Sequence, residues 1–419
     1  MKTQAAAKNV VLSAGAASAL GDGILLATLP LLAAQATRDP RGIALVIAMT
    51  TLPWLLLGLL GGVLVDRWDR RRAMAWASLT RGALLACATA VVGAGHATLP
   101  VLAVMAFALG CGQIIFDSAL DAHIPTLVGR DRPALMRLGS HQRITRTTAE
   151  AVGPGLGGIL FGMGRAAPLA ADAIACLSSA LIAWTLPRAA PSTPPVRRPV
   201  REVVSEIRQG VRYLRTSSLL LAMSVRPALG NMGFTACATV LVVIAETRLG
   251  LDSGGFGLLL SAQAVGGLAG ALGAPFLSDR IGAGRLVTIT ATMEGLAFVA
   301  LAVLSSAPVA FLAMGVLGFA IGTTMTISPT IRQAIVPSHL MGRVSSAGRT
   351  VGLSGAPVGA LVGGTLGVSV GLTAPLWFGA ALLLATAVIA ARWTSDAAIG
   401  AALLAAEVTE SDYSVTPAR

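Results

Sequence analysis

Long apolar segments follow one another along this chain, separated by short polar loops. A helix that crosses a bilayer needs about 20 predominantly apolar residues. Of the 419 residues 55% are hydrophobic and 12% are charged, whereas a soluble domain carries about 25% charge. We therefore predict an all-α integral membrane protein with about twelve spans, at 9–34, 42–65, 73–95, 98–124, 139–162, 167–187, 218–245, 254–277, 285–306, 308–330, 345–369 and 372–393.

One long polar segment interrupts the series. Residues 188–217 contain four prolines between 191 and 199 and continue as a basic amphipathic stretch, which is typical of an extended linker followed by a helix on the membrane surface. The predicted organisation is a six-helix half at 1–187, a cytoplasmic linker at 188–217 and a second six-helix half at 218–393. We expect the tail, 394–419, to be cytoplasmic and poorly ordered.

Arginines alternate between the loops. The loops after the first, fifth and seventh spans hold Arg38, Arg41, Arg165 and Arg248, and the loops on the opposite face hold many more. The positive-inside rule then places both termini in the cytoplasm and the protein in the cytoplasmic membrane. The net charge of +12 reflects these loops, so we predict no nucleic-acid partner.

The two halves share short matches in the same order. Asp22 matches Asn231, the Asp66-Arg67 pair matches Asp279-Arg280, and Arg146 with Pro154 matches Arg349 with Pro357. Related halves around a site near the membrane midplane are typical of alternating-access transporters.

Three stretches carry a family pattern: the loop at 61–72, the run from 124–132 on to 151–158, and 336–345. Together they resemble the twelve-helix drug:proton antiporters of the major facilitator superfamily, in the branch of macrolide-efflux proteins and enterobactin exporters. The resemblance implies two pseudo-symmetric six-helix halves. One departure is Asp69, where the family loop has glycine.

The resemblance also implies a conformational latch, here meaning Gly62, Asp66, Arg67, Arg70 and Asp121. In the family, the aspartate at the position of Asp66 faces the start of the eleventh span, and the arginine at Arg70 pairs with an acid at the end of the fourth. Asp121 lies near that end. The alternative is a simple turn with positive-inside charge.

Three carboxylates are candidates for proton coupling. Asp22 lies about 13 residues into the first span, near the midplane. A carboxylate there must be paired, neutralised or located in a water-filled cavity. Glu150 follows Arg146 by one turn on the fifth span, so the two can pair. Asp117 lies one turn before Asp121. The alternative is structural hydrogen bonding and packing, and Asn231 cannot carry a proton in the second half.

The fifth span also holds a Gly-Pro-x-x-Gly-Gly stretch that is similar to the antiporter signature of the superfamily; with the preceding arginine, its residues are Arg146, Gly153, Pro154, Gly157 and Gly158. Glycines there allow close helix packing. Asp172 is a further carboxylate within a span. Candidates for the substrate cavity are Gln113, Phe116, Asn231, Phe234, Gln263 and Glu294.

These features favour a proton-coupled exporter of a bulky amphipathic small molecule, such as a macrolide-type antibiotic. A siderophore or metabolite exporter with narrow specificity stays open, and a nutrient symporter and a non-transporting receptor are rivals. The chain lacks the Gly-Lys-Ser/Thr ending of a nucleotide-binding P-loop and any catalytic constellation. We expect no enzyme activity, cofactor or metal site. The expected partners are the substrate, protons and lipid, and we expect a monomer.

Overall fold

The computed structural model describes residues 2–57, 68–128, 132–186, 200–337 and 340–404. Long α-helices occupy almost all of these residues. In chain order they are α1 (Lys2–Ala36), α2 (Pro40–Leu57), α3 (Arg70–Gly93), α4 (Leu99–Val128), α5 (Arg132–Met163), α6 (Ala167–Thr185), α7 (Val200–Leu214), α8 (Ser218–Thr247), α9 (Ser253–Ile281), α10 (Ala283–Val303), α11 (Ala307–Ile335), α12 (Met341–Ser369) and α13 (Ala374–Trp393).

Eleven helices in the described ranges are long and apolar enough to cross a membrane. Two of the long helices are not among them. The first is α7, which has 15 residues and lies in the predicted linker. The second is α5, which carries several charged residues, including Arg146 and Glu150. Even so, α5 packs along α1 and along α9, so it lies inside the bundle between the two halves.

Polar side chains begin several helices. Asp252 accepts a hydrogen bond from the Gly255 amide at 2.7 Å and caps α9. Ser217 caps α8 in the same way, and Asp69 caps α3 by accepting from the Arg72 amide at 3.3 Å. The first amides of a helix have no partner within the helix, so these caps fix where each one starts.

Within each half, glycines bring helices into backbone contact. A Cβ at Gly23 of α1 would lie 2.9 Å from the Cα of Gly153 in α5. In the second half, a Cβ at Gly355 of α12 would collide with the Ala228 carbonyl of α8. The hydrophobic effect does not drive helices together in lipid, so van der Waals contact between closely packed small residues stabilises much of their association.

Among the described residues, the two halves, α1–α6 and α8–α13, pack closely on each other at one end of the bundle. This end holds the loops at 37–39, 164–166 and 248–252, and we call it the α1–α2 end. Gly158 of α5 packs on Gly257 of α9, and Gly364 of α12 packs on Ala44 of α2. These two contacts join the halves on either side of the space between them.

The C-terminal segment is better ordered than expected. Residues 396–404 are helical, and Ile399 is 8% exposed in an apolar cluster with residues of α8, α10, α11 and α12. Asp396 accepts a hydrogen bond from the Gly284 amide at 2.7 Å. The expectation of a poorly ordered tail was therefore wrong up to residue 404, because this carboxylate and this apolar side chain anchor the segment.

Candidate functional site

A buried ion pair joins α1 to α3. The Arg81 guanidinium donates to Asp22 Oδ1 at 2.6 Å and to the Ser18 hydroxyl at 3.1 Å. The Arg81 side chain is 2% exposed and that of Asp22 is 21% exposed. Gly112 of α4 makes room for the arginine, since a Cβ there would lie 2.6 Å from Arg81 Cγ. Asp22 is therefore paired within the bundle, as its depth in the membrane requires.

A second charged cluster lies beside the first. Arg146 of α5 bridges Asp117 of α4, at 2.9 Å, and Glu150 one turn along α5, at 2.7 Å. Gln113 donates to Asp117 Oδ2 at 3.1 Å. A small cavity separates the two clusters and is lined by both Asp22 and Asp117. The three carboxylates predicted as coupling candidates thus lie in one charged region of the first half.

The charged region forms one boundary of a central cavity of about 360 Å³ between the two halves. Asp22, Arg81, Gln113 and Arg146 line this boundary. The other walls are largely apolar, and they come from α1, α2, α4, α8 and α9; among their residues are Leu29, Ile47, Trp54, Leu109, Phe234 and Phe256. A mostly apolar cavity with a few polar groups is the usual form of a small-molecule site.

Of the predicted cavity residues, Gln113 and Phe234 line this cavity. The other four do not. Phe116 is fully buried in a core cluster with residues of α3. Asn231 donates to the Gly352 carbonyl of α12 at 2.9 Å, and the Gln263 carbonyl packs against Gly318 of α11.

The fourth residue, Glu294, forms a buried ion pair. It accepts from Arg226 of α8 at 2.9 Å. Placing Glu294 in the cavity was wrong because the helix face that carries it turns towards α8 rather than towards the space between the halves. Helical periodicity gives the residues that share a face, but the neighbour of that face follows from the packing.

The two buried pairs correspond in the internal repeat only at their α3 and α10 members. The offset that matches Asp66 with Asp279 also matches Arg81 of α3 with Glu294 of α10. In the first half the acid lies on α1 and the arginine on α3, whereas in the second half the arginine lies on α8 and the acid on α10. Each half therefore has an ion pair between its first and third helices, with opposite polarity.

Of the five residues of the predicted latch, the structure describes Arg70 and Asp121. Gly62, Asp66 and Arg67 lie outside the described residues. Arg70 donates to the Ala122 carbonyl of α4 at 2.9 Å, and no ion pair between Arg70 and Asp121 is present among the described residues. The arginine reaches the expected end of α4, but it binds the backbone there rather than the neighbouring carboxylate.

The predicted stretch on α5 makes contacts on two sides. Gly153 and Gly157 pack on Gly23 and Ile24 of α1. On the other side Gly158 packs on Gly257 of α9, and the Gly155 amide donates to the Ser261 hydroxyl at 2.9 Å. Pro154 lies inside the helix between these contacts. This stretch therefore connects the charged half to the second half.

Sequence reasoning missed Arg81 and Arg226. The signal was available, because each is a single arginine within an apolar span, and charge at that depth requires a partner. Arg81 lies 11 residues after the start of α3. The partner could not be identified from the sequence, since it lies on another helix, 59 residues from Arg81 and 68 residues from Arg226.

Two packed helical halves around a central cavity with a charged boundary define a multi-pass membrane transporter. The chain belongs to the major facilitator superfamily, and residues 6–407 match its family of transmembrane secretion effectors. This confirms the predicted family, the twelve-helix fold class and the expectation that the chain is a transporter and not an enzyme.

Individual relatives agree with this assignment. The multidrug efflux pump Tap of Mycolicibacterium fortuitum is 26% identical over 358 residues, covering 84% of this chain and 86% of that protein. The enterobactin exporter EntS of Citrobacter koseri is 26% identical, covering 80% and 79%. The structure of the nucleoside transporter NupG superposes with a TM-score of 0.72 at 13% identity, covering 94% and 99%. The NupG similarity shows the fold, and the two exporters support an efflux role for this secondary transporter.

Proposed function

We propose that the protein exports a bulky amphipathic small molecule in exchange for protons, by alternating access. The observation that carries the proposal is the position of the Asp22–Arg81 pair at the boundary of the central cavity. The apolar walls suit the hydrophobic part of a substrate, and Asp22 offers a carboxylate that a substrate group or a proton can reach. The efflux role of the relatives supports this direction of transport.

In this mechanism protonation of Asp22 competes with substrate binding. A proton removes the charge that pairs with Arg81, and the contacts between α1 and α3 weaken. The proton can shift the equilibrium between the inward-open and outward-open conformations only by the difference in its binding free energy to the two conformations. Asp117 and Glu150, joined through Arg146, are the second candidates for the proton. In this proposal the protein lies in the cytoplasmic membrane, with the α7 end of the bundle and both termini in the cytoplasm. A monomer is sufficient for this mechanism.

The test is efflux of a fluorescent hydrophobic dye or a macrolide from cells that express the chain, with and without a protonophore. Wild type should show protonophore-sensitive efflux, and Asp22→Asn should lose it at an equal protein level. Glu246→Gln is the matched control, because this carboxylate lies exposed near the end of α8. Efflux that survives in Asp22→Asn contradicts coupling at Asp22 and moves the proton to Asp117 or Glu150.

A narrow anionic substrate is the second candidate, because two guanidinium groups, those of Arg81 and Arg146, line the cavity. Guanidinium groups bind carboxylates and other planar anions well. Competition separates the two candidates. Excess of a hydrophobic cation should inhibit efflux by a drug exporter, and excess of an aromatic or catecholate anion should inhibit an exporter of the second kind.

A further inference from the structure

A further carboxylate lies beside the Asp22–Arg81 pair, on the side away from the central cavity. Asp172 of α6 is 0% exposed, although it is an acid within a membrane span. The Cys176 thiol donates to its Oδ1 at 3.5 Å, and no described residue forms a hydrogen bond with the buried Oδ2. An ionised carboxylate at such a place is costly unless a cation compensates it. The site therefore requires either a proton on Asp172 or a nearby positive group.

Arg81 is that nearby positive group. Asp172 lies against α1 at Gly21, the residue before Asp22, where a Cβ would collide with its carboxylate. The Arg81 guanidinium is within coulombic reach of both Asp22 and Asp172. Its buried Nε has no hydrogen-bond partner in the part of the chain that the structure describes. One arginine thus pairs directly with Asp22, which borders the central cavity, and is close enough to attract the enclosed carboxylate of Asp172.

The charges of these three groups can balance in two ways. With one proton on the pair of carboxyls, the net charge is zero whether the proton is on Asp172 or on Asp22. Arg81 pairs in each case with the carboxyl that is ionised. Asp22 also faces Asp117 of α4 and Arg146 of α5 across the small cavity, whereas Asp172 faces Arg81 and Cys176.

We propose that Arg81 is a shared counter-ion, and that it moves from Asp22 to Asp172 when Asp22 becomes neutral. The proton passes from Asp172 to Asp22, Arg81 pairs with the carboxylate left on Asp172, and the net charge of the three groups is unchanged. Asp172 is then a positioning residue, because it keeps the guanidinium paired while Asp22 is free to exchange its proton or to contact the substrate. Its role in transport rests on the proposed coupling at Asp22.

The buried ion pair of the second half provides a comparison, because its arginine has one acidic partner in the described part of the chain instead of two. Arg226 pairs with Glu294 and also donates to the Thr290 hydroxyl at 3.4 Å. Its Nε likewise has no partner, so that feature alone does not identify a shared cation. The difference is the second carboxylate, since Glu294 is the one acid within ion-pair distance of Arg226 among the described residues.

The first experiment measures the thermal unfolding midpoint of the purified full-length protein in detergent. Asp22→Asn and Asp172→Asn should each lower the midpoint only modestly, because Arg81 keeps one carboxylate. The double variant should lower it by more than the sum of the two, and adding Arg81→Met should restore it, since the buried charge is then removed. Glu294→Gln alone should behave like the double variant. Additive single effects without rescue by Arg81→Met would overturn the shared counter-ion.

The second experiment is infrared spectroscopy of the carboxyl C=O stretch at neutral pH. The proposal expects the band of one protonated carboxyl to be present in wild type and absent in Asp22→Asn, because Asp172 then becomes the ionised partner of Arg81. A band that persists in Asp22→Asn contradicts the exchange. Both measurements are independent of transport, so they hold or fail separately from proton-coupled export.

A third readout concerns transport. Asp172→Asn should lower the maximal efflux rate without changing the half-saturating substrate concentration, because it prevents the exchange and leaves the cavity intact. A purely structural role would instead lower the protein level, and the rate per molecule would stay the same. An unchanged rate per molecule in Asp172→Asn overturns the role in transport.

Discussion

The carboxylate of Asp396 caps the helix that begins beside Gly284, at a hydrogen-bond distance of 2.7 Å. The internal repeat shows why a distant residue does this. The offset that matches Asp66 with Asp279 places Gly282 opposite Asp69. Asp69 caps its own helix, whereas Gly282 has φ +88° and no side chain to cap α10. The C-terminal segment therefore supplies the missing carboxylate.

This relationship predicts a stability effect. Asp396→Ala should destabilise the protein by about 1 kcal/mol, as loss of an N-cap does. Asp396→Asn should be milder, since an amide oxygen still accepts the hydrogen bond. The measurement is the thermal midpoint of purified protein. Truncation after residue 404 should leave the midpoint unchanged, and truncation after 394 should lower it. Equal midpoints for both truncations would contradict the anchoring of this segment.

The Arg226–Glu294 pair predicts a second effect on stability. Removing one partner of a buried ion pair costs about 3–5 kcal/mol, because the other charge stays buried without compensation. Glu294→Gln should therefore lower the thermal midpoint strongly. Replacing both partners, with Arg226→Met and Glu294→Leu, should recover most of the loss. Recovery would fail if the pair were needed for its hydrogen bonds rather than for charge balance.

The contact between α5 and α9 predicts an effect on transport. A Cβ at Gly158 would lie 3.0 Å from the Cα of Gly257, so Gly158→Ala should push the two halves apart at the α1–α2 end. Efflux should fall severalfold at a protein level close to wild type, because the packing within each half is unaffected. Gly139→Ala on the same helix is the control, since no described residue lies within 4 Å of a Cβ there. Efflux at the wild-type rate in Gly158→Ala would rule out a need for this close contact.

Two phenylalanines should respond differently to the same change. Phe234 lines the central cavity, and Phe116 lies in the core at 0% exposure. Phe234→Ala should raise the substrate concentration needed for half-maximal efflux and leave stability nearly unchanged. Phe116→Ala should destabilise the protein by about 3–5 kcal/mol through cavity formation. Dose-dependent efflux and thermal midpoints of both variants check this, and a stability loss in Phe234→Ala would place that side chain in the core.

Several features of the site could be predicted from residues close together in sequence. Arg146 and Glu150 are one helical turn apart, and they form the predicted pair at 2.7 Å. The glycines on α5 were predicted to allow close packing, and Gly153 meets Gly23 of α1 at backbone distance. In each case helical periodicity or residue size fixes the outcome locally.

Other features depended on distant parts of the chain. Asp117 was identified, but its partner Arg146 is 29 residues away. Glu294 was placed in the cavity, and it pairs instead with Arg226. The tail was expected to be poorly ordered, yet Asp396 binds the start of α10. None of these partners can be read from periodicity, because the pairing of helix faces depends on how all the helices pack together.

The sequence alone determined the class of this protein. The number and length of its apolar segments predict a bundle of membrane-spanning helices, since backbone polar groups in lipid must be satisfied within helices. The arginine-rich loops and the internal matches predict two related halves. Only the tertiary structure decided which charges meet. It paired Asp22 with Arg81 and Arg226 with Glu294, because a buried charge takes its partner from whichever helix face packing brings within hydrogen-bond distance.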